Sequence, residues 1–146
     1  MYIVSKCLLG ENCKYNGGNN RNEGVIEFLK DKNYIAVCPE VTGGLPCPRP
    51  PAERQGDKIV NCEGKDVTFN FEEGARIEFA AAKEKSKELN EEIEGAVLKA
   101  KSPSCGKDYI YDGTFSGVLT EGDGCFVKIL REEEIHVISE KEISND

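Results

Sequence analysis

Apolar residues fall in short runs separated by polar, glycine-rich stretches. Tyr2–Ser5 reads as a strand, with Cys7 just beyond it. A polar loop, Gly10–Asn20, carries Cys13 and Gly17-Gly18. Val25, Ile26 and Leu29, with Phe28 beside them, recur at helical spacing. Tyr34–Cys38 is wholly apolar, as a buried parallel strand is, and Pro39 ends it because proline donates nothing to a ladder. Residues Pro39–Arg54 read as a long loop. Lys58–Cys62 and Asp66–Phe69, flanking Glu63-Gly64-Lys65, read as a hairpin. Asn70 followed by Glu73 has the form of a capping box, opening a helix to about Asn90. On it Phe71, Ala75, Phe79, Ala82 and Leu89 share a face. Gly95–Ala100 is a third strand, Gly113–Gly122 an irregular connection, Asp123–Glu133 a helix, and Ile135–Ser139 a fourth strand before an acidic tail, Glu140–Asp146.

Strands alternating with helices imply an α/β fold: a mostly parallel sheet with flanking helices, and here a small β-hairpin insertion. At 146 residues the chain is expected to be a single domain spanning 1–146. Ligands of parallel sheets bind beyond the carboxyl ends of the strands. Cys7, Cys38 and Cys105 lie at or past the ends of the first, second and third strands. Distant in sequence, they are expected to converge on one edge.

Composition narrows the chemistry. The net charge of −8 argues against a DNA partner, since phosphate contacts need clustered Lys and Arg. No apolar run approaches a membrane span, and the start lacks the form of a signal peptide, so the expected location is the cytoplasm. There are seven cysteines, one His and no Trp. In a reducing compartment such cysteines are thiols, metal ligands or redox groups rather than disulfides. Three thiolates at one edge suit a soft metal or an iron–sulfur cluster. No Cys-x-x-Cys occurs, so neither a ferredoxin nor a zinc-ribbon pattern is present. Cys62 and Cys125 read as structural cysteines, and His136 as a structural histidine in a strand. Asn19, Asn20 and Arg21 suit either a helix N-cap region or recognition of a base edge or phosphate.

Five blocks stand out: Cys7-Leu8-Leu9-Gly10; Cys13-x-Tyr15-x-Gly17; Cys38-Pro39-Glu40-Val41-x-Gly43-Gly44-Leu45-Pro46; Pro48-Arg49-Pro50-Pro51-Ala52-Glu53; and Lys101-Ser102-Pro103-Ser104-Cys105-Gly106. Together they resemble the signature blocks of the domain-of-unknown-function 523 family, which includes the thiouracil desulfidases. The resemblance runs from Val4 to Glu140. It implies a Rossmann-like domain holding a [4Fe-4S] cluster by three cysteines, with the fourth iron open to the sulfur of a thiopyrimidine, and a non-redox desulfuration. Cys7 and Cys105 match motif cysteines. Cys38 is taken as the third ligand, with Cys13 as the alternative. Cys47 departs from the family pattern.

The residues suit such a reaction. A soft thiocarbonyl sulfur binds soft iron, and water then attacks the polarised carbon. With histidine nearly absent, Glu40 is the candidate base, the competing reading being a carboxylate paired with Arg49. Ser104 is expected beside the reacting atoms, and Ser102 and Arg49 are expected to contact the substrate. A zinc-binding or thiol-redox module built on Cys7, Cys13, Cys38 and Cys105 is the rival reading. A nucleotide-binding domain is disfavoured by the absence of G-x-G-x-x-G after the first strand.

Overall fold

A computed structural model describes residues 1–144; the last two residues of the acidic tail lie outside it. The strands are β1 (Tyr2–Ser5), β2 (Tyr34–Val37), β3 (Ala52–Gln55), β4 (Lys58–Asn61), β5 (Gly95–Leu98), β6 (Tyr109–Tyr111), β7 (Leu119–Glu121) and β8 (Val137–Ser139). The helices are α1 (Glu23–Leu29), α2 (Pro39–Thr42), α3 (Thr68–Leu89), α4 (Cys125–Glu132) and α5 (Glu140–Ser144), and a 3-10 turn covers Lys6–Leu9. The main sheet runs β2-β1-β5-β8, and every pairing in it is parallel. The fold is the expected α/β sheet with flanking helices. No helix among the described residues is long and apolar enough to cross a membrane.

Side chains alternate across a strand, so each face of the sheet gathers its own core. Ile3, Ala96, Leu98 and Val137 pack with Phe71, Ala75 and Ala82 of α3 and with Phe126, Val127 and Leu130 of α4. Val4 and Val97 face the other way, onto Leu8 and onto Val25 and Leu29 of α1. Phe71 and Phe126 are fully buried. Each such side chain contributes roughly 1.5–3 kcal/mol by leaving water.

Four expectations need correction. The hairpin pairs β4 with β3, not with Asp66–Phe69. Asp66 makes one bridge to Val60, and the chain then turns into α3. That helix begins at Thr68, whose N–H donates to Asp66 Oδ1 (2.9 Å), so Asn70 is no cap. Asn70 instead donates from Nδ2 to the Gly43 carbonyl (2.8 Å). The stretch Pro39–Arg54 is not all loop, since it contains α2 and most of β3. Gly113–Gly122 is not wholly irregular either: β7 lies within it and pairs antiparallel with β6.

The contact between α2 and α3 fixes the segment just after β2. A Cβ on Gly74 would fall 1.8 Å from the Pro39 carbonyl oxygen, and one on Gly43 1.9 Å from that of Asn70. Only glycine at both places lets the two backbones touch. Gly74→Ala is therefore expected to lower stability by about 1–3 kcal/mol, the usual range for overpacking. The urea unfolding midpoint checks this; an unchanged midpoint would show that the contact is slack.

A candidate active site at the carboxyl edge of the sheet

The chain leaves β1 in the middle of the sheet for β2 on one side, and reaches β5 on the other. A crevice opens where such a sheet changes direction. Here it is a cavity of about 540 Å³ lined by Ser5 and Cys7 after β1, Cys38 and Glu40 after β2, and Lys99, Ser102, Ser104 and Cys105 after β5. Cys13 and Arg49, from loops, line it too. The structure thus brings together Cys7, Cys38, Cys105, Glu40, Arg49, Ser102 and Ser104, together with the alternative ligand Cys13.

Each thiol is held by neighbours. Glu78, buried on α3, accepts the Cys38 N–H at Oε2 (2.8 Å) and pins the end of β2. Ser102 Oγ accepts the Cys105 N–H (2.8 Å). Ser5 and Ser104 stand beside the Cys105 thiol and Asn20 beside that of Cys7, and each eases ionisation there. Burial pushes the Cys105 and Cys7 thiols up from their ordinary range. The Cys13 thiol lies next to that of Cys38 and interacts with it as a hydrogen-bond partner. That bond lowers Cys38 to about 7, with the Val41 N–H adding to the effect and burial opposing it. The same bond, followed by burial, raises Cys13.

Buried thiols of this kind become thiolates when a cation stands among them, so the donor set fits a soft metal centre. Among the described residues, no three Cys, His, Asp or Glu side chains meet closely enough to hold one metal ion. The thiols surround a space instead. Cys47 stands apart: it is exposed, outside the cavity lining, with its sulfur 3.1 Å from the Asn12 carbonyl.

Glu40 is the hub of the polar groups. Its Oε2 accepts from Ser104 Oγ (2.8 Å), and its Oε1 accepts from Arg49 Nε (3.2 Å). Arg49 also donates from Nη2 to the Cys13 carbonyl (2.9 Å) and from Nη1 to that of Pro46 (3.3 Å). The pairing with Arg49 and the place in the cavity are thus both present in one residue. Their side chains are only 18% and 5% exposed, which sets this pair apart from a surface ion pair.

The family of this fold and site is shown by comparison. A family model described as 2-thiouracil desulfurase matches residues 2–142. The chain belongs to the 2-thiouracil desulfurase family. It is 40% identical to a protein whose solved structure is titled [4Fe-4S]-dependent thiouracil desulfidase TudS, with a TM-score of 0.85 over 99% of this chain and 93% of that one. It is also 39% identical over 155 residues to YbbK of Bacillus subtilis (strain 168), described as uncharacterized, with 99% of each chain covered. Membership in the desulfurase family makes the chain an enzyme.

In this family member several cavity residues escape a reading of sequence. Of the two cysteines expected to be structural, Cys62 is exposed and lines the cavity, while Cys125 is buried, with its sulfur 3.4 Å from the Phe71 carbonyl. Glu78 had a signal: it is the charged residue on the Phe71-Ala75-Ala82 stripe. Asn22, not the residues before it, caps α1 by accepting the Val25 N–H (3.0 Å). Asn20 is left to serve Cys7. His136 is exposed and lies outside the cavity lining.

Removing Arg49 strands a half-buried carboxylate. Arg49→Met is expected to cost about 3 kcal/mol, near the lower end of the range for breaking a buried pair. Glu40→Gln is expected to cost less, because the amide oxygen still accepts from the guanidinium. Chemical denaturation of both variants checks the order; equal losses would show the pair to be solvated.

Proposed function

We propose that the protein removes sulfur from a thiolated pyrimidine, thiouracil or a thionucleoside, by hydrolysis, giving a uracil-type product and hydrosulfide without net electron transfer. One observation carries the reading: three thiols from three strand ends and the Glu40–Ser104 pair face one cavity. In this reading Cys7, Cys38 and Cys105 hold a [4Fe-4S] cluster of the kind named for the similar TudS structure. Such a cluster, held by three thiolates, supplies an iron site open to a soft sulfur ligand.

The chain's own residues do the rest. Glu40 takes a proton from the attacking water at a carboxylate oxygen. Ser104 Oγ holds Glu40 Oε2 and passes or accepts a proton at the substrate. Arg49 orients Glu40 through Oε1 and anchors the Cys13 loop by its carbonyl. Ser102 fixes the Cys105 turn and is within 3.4 Å of Ser104 Oγ, so it reaches the same edge of the substrate. The balance is closed: water adds oxygen to carbon, the C–S bond breaks with its electron pair on sulfur, and hydrosulfide leaves. The rival zinc reading needs ligands within about 2.3 Å of one ion, and among the described residues no three such side chains stand together.

Cys7→Ser, Cys38→Ser and Cys105→Ser are each expected to lose the absorbance near 400 nm and the iron of the anaerobically reconstituted protein. Cys125→Ser is expected to keep both. If Cys38→Ser keeps its iron while Cys13→Ser loses it, Cys13 is the third ligand. Glu40→Gln is expected to keep the cluster and cut turnover of thiouracil by about 10²-fold, the scale of general base catalysis. Full turnover in Glu40→Gln removes Glu40 as the base, and turnover only with an added electron donor contradicts the hydrolytic reading.

A further inference from the structure

The β6–β7 hairpin has a part in the site that neither the thiols nor the carboxylate explains. It lies outside the main sheet, yet Tyr111 and Phe115 from it line the cavity. Its tip is fastened to β3. Glu53, only 8% exposed, accepts both the Gly113 N–H (3.0 Å) and the Phe115 N–H (3.1 Å) at one carboxylate oxygen. Gln55 Nε2 donates to the Gly113 carbonyl (2.9 Å). Gly113 sits at φ +94°, where a Cβ would come within 2.5 Å of the Arg54 carbonyl oxygen, so tip and strand are in contact.

What this clasp holds is an aromatic ring in a costly place. Phe115 has φ +56°, a region that bulky L-residues avoid, and the residue is still 36% exposed. A protein spends a buried carboxylate and a strained backbone on an exposed ring when the ring has a ligand to meet. A pyrimidine offers two kinds of surface. Its edge carries the thiocarbonyl and ring nitrogens, which suit thiols, Glu40 and Ser104. Its faces are flat π-surfaces, which suit an aromatic ring.

We propose that Phe115, with Tyr111 beside it, is the stacking platform for the substrate's pyrimidine ring, and that Glu53 is the positioning residue that holds the platform over the cavity. This rests on the proposed thiopyrimidine substrate and names the group that selects its ring. Aromatic stacking is worth enough per base for loss of the ring to raise KM about 10-fold.

Four variants of the reconstituted holoenzyme test it. Phe115→Leu is expected to raise KM for 2-thiouracil about 10-fold, with kcat and iron content changing far less. Glu53→Ala is expected to do the same, and Glu53→Gln, whose amide oxygen still accepts two N–H groups, is expected to restore the KM. The chain has no tryptophan, so Phe115→Trp adds a unique fluorophore. Uracil is expected to quench it, and to leave unchanged a control Trp at Phe69→Trp, on α3 and 75% exposed. An unchanged KM in Phe115→Leu, or equal response of the two tryptophans to uracil, overturns the platform. An unrescued Glu53→Gln removes Glu53 from it. If the wild-type holoenzyme frees no sulfide from 2-thiouracil, the substrate reading falls, and the uracil titration still decides the platform by itself.

Discussion

Sulfur held at the carboxyl edge of β1, β2 and β5, half-buried at Cys7 and Cys38 and buried at Cys105, is the constraint on which the site depends. A thiol removed from water resists ionisation, and Cys7 and Cys105 are both raised for that reason. Polar neighbours ease the ionisation: Ser5 and Ser104 at Cys105, Asn20 at Cys7, Cys13 and the Val41 N–H at Cys38. These lower the cost of a thiolate without removing it. The remainder falls to positive charge within the cavity. A metal centre supplies such charge directly, and that is why the donor set and its burial belong together.

The fold serves this constraint at several distances. Parallel pairing carries three strand ends to one edge, which no antiparallel arrangement of the same strands does. Glu78 reaches from α3 to the Cys38 amide, and the Gly43–Gly74 contact seats α2, whose Glu40 accepts the hydrogen bond from Ser104. Arg49 joins two loops by bonding Glu40, Pro46 and Cys13 at once. Lys99 pairs with Glu140 at 3.0 Å, and so joins the end of β5 to α5.

How much of this was legible in the sequence depends on how far each element declares itself in apolar residues. β1, β2 and β5 are apolar runs, so they and their trailing cysteines are readable, although only β1 and β5 are buried and β2, at the sheet edge, is half-exposed. β3, Ala52-Glu53-Arg54-Gln55, has no apolar alternation and was passed over as loop. β7 is exposed at all three positions and left no signal. The hairpin was misread because Asp66-Val67-Thr68-Phe69 looks like a strand, while its one bridge and the Asp66–Thr68 bond turn it into a helix. Within the site, the motif residues were visible through their resemblance to a family. Asn20, Cys62, Tyr111 and Phe115 reach the cavity only through tertiary geometry, which spacing does not encode. Glu53 stood in a quoted motif, yet its bonds span about sixty residues of chain.

The central claim is that the three strand-end thiols hold a polynuclear iron–sulfur centre rather than a single ion. Iron, zinc and acid-labile sulfide per chain in anaerobically reconstituted protein test this most directly. Four irons, four sulfides and negligible zinc are expected, matching the cluster type named for the similar solved structure. One zinc per chain, or iron without acid-labile sulfide, would contradict it.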